Sequence, residues 1–165
     1  MFWNDVKLTQ WAATHVEPFS LECVNPASID LKWSGKAKIA TSDGWSDVFY
    51  SDHITLERGN LYLMDTLEYI YMPDNAVGWL ALKSSMARLG LENLHAGFFD
   101  PDFNGTATLE IENRAPWPIT LKKGQRIIQL ALCDCMLPAR PYTEVGHYCG
   151  QVGPTSDRNK DDTTR

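Results

Sequence analysis

The sequence predicts an all-β domain with short helices, built as a barrel or jelly roll. Three observations carry that expectation: beyond Pro18 the apolar residues recur with period two, their runs are short, and turn signals separate them. Ile54, Leu61, Leu63, Leu67, Tyr69, Tyr71, Leu80, Leu82, Ala107, Leu109, Ile111, Ile119, Leu121, Ile127, Ile128 and Leu130 lie in such runs. The breaks fall at Arg58-Gly59-Asn60, Pro73-Asp74-Asn75, Asn104-Gly105, Ala115-Pro116-Trp117-Pro118 and Lys123-Gly124-Gln125. Many short strands at this spacing favour a barrel or sandwich over a parallel α/β sheet.

The first element reads as a helix. Asn4 can cap it, Asp5 sits where the helix dipole favours an anion, Leu8, Trp11, Ala12 and His15 share one face, and Pro18 closes it. The strands follow, with one interruption. Lys83-Ser84-Ser85-Met86-Ala87-Arg88-Leu89-Gly90 is polar where a strand would end, offers serine at a capping position and stops at glycine, which predicts one or two helical turns. From Ser156 to Arg165 there is no apolar side chain to bury, so residues 1–155 are read as one domain and 156–165 as a mobile tail.

Composition narrows the function. With 165 residues, 44% hydrophobic and 22% charged, the chain can bury a core of its own. The formal net charge of -6 disfavours a sequence-independent grip on nucleic acid phosphates. No apolar stretch approaches the roughly 20 residues of a membrane span, and Met1-Phe2-Trp3-Asn4-Asp5 lacks the features of a secretory signal. A cytoplasmic location with neither a nucleic acid nor a membrane partner is therefore expected. Cys23, Cys133, Cys135 and Cys149 form no paired spacing and are read as reduced, buried thiols.

Three places could carry chemistry. His15-Val16-Glu17 with Cys133-Asp134-Cys135 imitates part of a zinc deaminase signature. That chemistry needs C-x-x-C at a helix start, whereas C-x-C in a strand is read as core packing, and no metal ligands are expected. Lys83, Ser84 and Ser85, at the head of a short helix, suit phosphate oxygens or a plain cap. In the strand from Thr106 to Asn113, Ala107, Leu109 and Ile111 share one face and Thr108, Glu110 and Glu112 the other. Facing water, Glu110 is an ordinary carboxylate; facing a cleft, it is a proton acceptor with a raised pKa.

The order of the pieces decides between these readings. Asn25-Pro26-Ala27-Ser28-Ile29-Asp30-Leu31, Thr66-Leu67-Glu68-Tyr69-Ile70 with Pro73, and Ser84-Ser85-Met86-Ala87-Arg88-Leu89-Gly90-Leu91 occur in series. Ala96-Gly97-Phe98-Phe99-Asp100-Pro101-Asp102-Phe103-Asn104-Gly105 then leads to Leu109-Glu110, followed by Pro118-Ile119 through Gly124, Ile128-Gln129-Leu130, and Tyr148-Cys149-Gly150-Gln151-Val152-Gly153-Pro154-Thr155. This series resembles the dCTP deaminase family of the dUTPase-like superfamily over nearly the whole chain.

The resemblance implies a distorted β-barrel assembled as a homotrimer, with active sites shared between subunits and the C-terminal segment closing over the nucleotide. It implies hydrolytic deamination of dCTP to dUTP and ammonia. Glu110 would act as the acid–base group, with Arg88 and Ser84 holding the developing charge and the backbone near Ala96 contacting the base edge. Lys83, Ser84, Ser85, Tyr142 and Gln151 stand at positions similar to the family's phosphate binders, His147 is expected to bind substrate beside them, and Asp100 matches the carboxylate on the deoxyribose. Thr108 and Gln129, in matched strands, are expected to bind substrate as well. Mg2+ would ride on the triphosphate, with no zinc, and Tyr71 is read as structural.

Three residues depart from the pattern. Lys83 stands where arginine is common, His147 where lysine is usual, and His95 where threonine is usual. The lysine exchanges a bidentate fork for a point charge, and an imidazole of pKa about 6.5 makes phosphate affinity pH-dependent. Gly97 leans the reading toward the bifunctional kind, which continues to dUMP and pyrophosphate, because single-activity members often carry His there. The alternatives are a plain dUTP pyrophosphatase and a catalytically silent nucleotide-binding regulatory trimer.

Overall fold

Local signals place the first helix where the sequence predicts it. In the computed structural model, which describes residues 1–94 and 96–158, α1 (Asp5–His15) starts at Asn4, whose Oδ1 accepts the Lys7 amide at 3.0 Å. α1 buries Leu8, Trp11 and Ala12. His15, expected on the same face, is exposed. It lies one turn beyond the buried patch, where the chain leaves the helix, and its ring stacks on Trp11 at 6.1 Å with Nδ1 3.0 Å from the Trp11 carbonyl.

The period-two runs become strands: β1 (Val16–Glu17), β2 (Val24–Asn25), β3 (Ser28–Thr41), β4 (Gly44–Trp45), β5 (Phe49–Tyr50), β6 (His53–Leu56), β7 (Leu61–Tyr71), β8 (Ala76–Leu82), β9 (Leu91–Asn93), β10 (Phe98–Phe99), β11 (Asn104–Asn113), β12 (Ile119–Lys122) and β13 (Arg126–Asp134). The main sheet is antiparallel and runs β10-β8-β13-β3-β7-β11-β9, while β12 pairs with β6 apart from it. The predicted barrel is thus a curled half-barrel, a strand path with two ends among the described residues. Register shifts in the β3–β7, β11–β7 and β13–β3 ladders supply the curl, because each bulge bends its strand and increases the twist. Trp33, at the β3 bulge, is fully buried and donates its indole N–H to the Lys36 carbonyl at 2.8 Å.

The interruption after β8 is α2 (Ser84–Leu89). Its cap is Lys83, with no side-chain capping bond, rather than a serine, and it ends at Gly90 with φ 103, a left-handed conformation that glycine adopts without strain. A further short helix, α3 (Tyr142–Val145), belongs to the C-terminal segment. Of the cysteines, Cys23 alone is buried; Cys133, Cys135 and Cys149 are half-buried, because the end of β13 and the 148–150 turn lie at the surface. Among the described residues no helix is long and apolar enough to cross a membrane.

β7 lies mid-sheet with most of both faces covered, so its polar residues are buried along with its apolar ones. Asp65 accepts a hydrogen bond from the Ser34 hydroxyl, and Glu68 accepts the Lys32 amide at 2.9 Å. Burial nevertheless dominates, pushing the Asp65 carboxyl up to about 6 and that of Glu68 to about 7. A carboxyl whose pKa is higher folded than unfolded takes up a proton on folding, so its stabilisation is present at low pH and lost as pH rises through the folded value. Between pH 5 and 8 the wild-type protein should lose about 2–3 kcal/mol more stability than Glu68→Gln. Urea midpoints of both proteins at one fixed concentration check this, and parallel pH profiles would refute it.

Candidate active site

β11 alternates as its sequence dictates. Ala107, Leu109 and Ile111 are buried in the core, while Thr108, Glu110 and Glu112 are half-buried on the opposite face. On that face Thr108 and Glu110 line a cavity of about 260 Å³ with Ala96, Phe98, Phe99, Asp100, Phe103, Tyr142, Tyr148 and Gln151. Glu110 Oε2 is out of contact with solvent and has no hydrogen-bond partner. Burial raises its carboxyl pKa above the usual range, which is the cleft alternative of the sequence reading rather than the solvated one.

The second wall is the segment around β10. Phe98 pairs with Trp79 and Phe99 with Gly78, and the Leu80 amide donates to the Gly97 carbonyl at 2.7 Å. A Cβ at Gly97 would lie 2.6 Å from the Leu80 carbonyl oxygen, so glycine there has a packing cause that is independent of the reaction products. His95 lies outside the described residues.

The third wall comes from the C-terminal segment. Phe99, Phe103 and Tyr142 form a chain of edge-to-face contacts at 4.7 and 5.7 Å. Burial pushes the Tyr142 phenol up, and the charge of Asp100, which lines the same cavity, adds to the shift. Beyond them the chain zips onto β11. Gln151 donates Nε2 to the Thr106 carbonyl at 2.7 Å, and the Gly153 and Thr155 amides donate to the hydroxyls of Thr106 and Thr108 at 3.1 and 3.2 Å. Gln151 and Thr108 therefore hold the closing segment as well as lining the cavity. Ser156 accepts from Lys38 at 2.8 Å and Asp157 from the Tyr148 hydroxyl at 3.3 Å; the rest of the predicted tail, 159–165, lies outside the described residues.

His147 lines an adjoining cavity of about 240 Å³ that shares Asp100, Tyr142 and Tyr148 with the first. The remaining predicted residues, Lys83, Ser84, Ser85, Arg88 and Gln129, do not line the Glu110 cavity. Asp30, 2% exposed, accepts from Asn25 at 2.9 Å and pairs with the Lys83 ammonium, with Gln129 Nε2 3.4 Å away. Lys83 is thus held by a buried partner, while Ser84, Ser85 and Arg88 are exposed on α2. Arg88 has no ion-pair partner among the described residues. The chain therefore presents an acidic, aromatic cavity in one place and a cationic, hydroxyl-bearing helix in another.

Sequence reasoning missed the aromatic walls, Phe98, Phe99, Phe103 and Tyr148, although the density of phenylalanine between Gly97 and Asn104 was visible. Among the described residues no group of three or more His, Cys, Asp or Glu could hold a metal ion, and the carboxylate of Asp30 is already paired.

This fold is shared with solved nucleotide hydrolases. The dCTP deaminase of Agrobacterium tumefaciens superposes with a TM-score of 0.69 at 21% identity, over 79% of this chain and 47% of that one. A dUTPase from phage phi11 of S. aureus, described as coordinating a structural Mg(II) ion, gives a TM-score of 0.52 at 15% identity over 70% of this chain and 82% of that one. In sequence, residues 5–135 match the family described as dCTP deaminase-like. A protein of Mycobacterium avium named "dCTP deaminase, dUMP-forming" is 38% identical over 87% of this chain and 86% of its own, and one of Corynebacterium glutamicum with the same name is 35% identical over the same shares. The chain belongs to the dCTP deaminase-like family.

Proposed function

We propose that the protein is a dCTP deaminase whose base pocket is the Glu110 cavity and whose sites are completed between protomers of a homotrimer. The observation that carries the reading is Glu110 Oε2, buried in a cavity without a partner. Buried polar atoms are ordinarily paired, so an orphaned carboxylate oxygen at a cavity wall is suited to a water or amine supplied by substrate. Ionised, Glu110 takes the proton of a water attacking cytosine C4; it then returns that proton to the departing amine, and dCTP plus water gives dUTP plus ammonia. Asp100 and Tyr142 flank the deoxyribose, the backbone at Ala96 and the hydroxyl of Thr108 contact the base, and Gln151 keeps the closing segment over it.

Oxyanion-type stabilisation needs a cation and fixed donors. Arg88 and Ser84 have both, but on α2, away from the Glu110 cavity. A neighbouring protomer would bring them in together with Lys83, Ser85 and Gln129, while His147 and Tyr142 meet the phosphates from the Glu110 side. This supports a shared site. Mg2+ would come with the triphosphate and offset its charge. The two mycobacterial and corynebacterial relatives named as dUMP-forming support a second step, from dUTP to dUMP and pyrophosphate.

Incubation of the purified protein with dCTP, with ammonia, pyrophosphate and nucleotides quantified together, tests both halves. The expected result is equal amounts of ammonia and pyrophosphate with dUMP accumulating. Ammonia without pyrophosphate would confine the enzyme to deamination, and consumption of dUTP alone would replace the reading with a pyrophosphatase.

A further inference from the structure

Tyr142 borders both cavities, yet it sits on α3, four residues that cannot hold a helical turn by themselves. Something outside α3 must fix it. Tyr148 meets its phenol through the backbone, and two further contacts come from the turn after β10. Phe103 meets the Tyr142 ring at 5.7 Å, and Asp102 accepts the Thr143 hydroxyl through Oδ2 at 2.5 Å, across 41 positions of sequence.

Asp102 is unusual in its backbone. Its φ of 69 is the one positive φ outside glycine among the described residues. A side chain in that region crowds the carbonyl that follows it, and asparagine and aspartate bear this better than other residues but not as freely as glycine. The turn itself has no need of the carboxylate, because main-chain bonds hold it: the Asp102 amide donates to the Pro73 carbonyl at 3.2 Å and the Phe103 amide to the Asp100 carbonyl at 3.3 Å. What the side chain adds is the bond to Thr143.

We propose that Asp102 is a positioning residue, strapping α3 to the turn that carries Asp100 and so setting Tyr142 against the bound nucleotide. The proposal rests on the placement of the nucleotide in the Glu110 cavity. Asp100 and Tyr142 reach that cavity from segments about 40 residues apart, and the strap joins those segments one residue beyond Tyr142 and two beyond Asp100.

Asp102→Gly separates this role from a purely structural one, since it removes the strap while relieving the backbone. Its melting temperature should be unchanged or higher. Its KM for dCTP should rise about 3- to 10-fold, the worth of one ordinary hydrogen bond lost, with kcat within about twofold of wild type. Amide exchange over 142–148 in the nucleotide-free protein should quicken. Thr143→Val should reproduce these changes, the double variant should add nothing further, and Asp102→Asn, which keeps an acceptor and tolerates the conformation, should stay close to wild type. Unaltered exchange in Asp102→Gly, or quicker exchange with an unaltered KM, overturns the proposal, as does Asp102→Asn behaving like Asp102→Gly. If the wild-type protein turns over neither dCTP nor dUTP, the functional reading fails, and the exchange comparison still decides whether the strap exists.

Discussion

Glu110→Gln is expected to lower kcat for ammonia release about 10²- to 10⁴-fold, the usual contribution of a positioned acid–base group. Glutamine keeps the shape of the side chain and an oxygen acceptor, but cannot take the proton of the attacking water. Affinity for dCTP should stay within a few-fold, because the contacts proposed for the phosphates and the deoxyribose fall on other residues. The carboxyl pKa is raised by burial, so the acid limb of the wild-type kcat/KM profile should lie above the ordinary carboxylate range, with activity falling as pH drops through it. Turnover measured as ammonia, dCTP affinity by calorimetry, and the pH profile check the three statements. A variant that deaminates dCTP at more than about a tenth of the wild-type rate is incompatible with Glu110 as the shuttle.

What could be read in the sequence was local. The cap at Asn4, the stop at Gly90 and the alternation along β11 are each decided by residues within one or two turns of chain, and each stands where the pattern places it. Even the two-sided prospect of Glu110, exposed carboxylate or proton acceptor, was legible in the alternation. Which prospect holds depends on Tyr142, Tyr148 and Gln151, more than 30 residues later, and no periodicity in β11 contains them. The pairing of Lys83 with Asp30 is hidden in the same way, at a separation of 53 residues; a lysine read as a free phosphate ligand turns out to have a buried carboxylate beside it. The capping serine failed for a smaller reason. α2 begins one residue earlier than the serines suggested, with Lys83 extended at φ -59, ψ 137, so Ser84 lies inside the first turn. The half-barrel was foreseeable as a class, but its open path follows from bulges whose positions depend on the partner strand.

Mixing two inactive variants should restore activity. Arg88→Ala and Glu110→Gln each remove one component of the proposed site, and the structure puts those components on different parts of the protomer: Glu110 at the wall of the cavity, Arg88 exposed on α2 and outside its lining. If a site takes Glu110 from one chain and Arg88 from its neighbour, a hybrid assembly contains sites in which both are intact. With equal amounts and random exchange, each of the two chains at a site is the right one half of the time, giving about one quarter of wild-type activity. A site built within a single chain gives nothing on mixing, since every chain carries one lesion. The experiment requires subunit exchange, by brief dilution in mild denaturant or by co-expression with different affinity tags, followed by the ammonia assay. Each variant alone should fall at least about 10²-fold, since loss of a preorganised cationic donor costs roughly as much as loss of the proton shuttle. Recovery near one quarter supports the shared site and the roles of both residues together. No recovery in a verified hybrid assembly excludes a site shared in this way, whatever the oligomeric state of the protein.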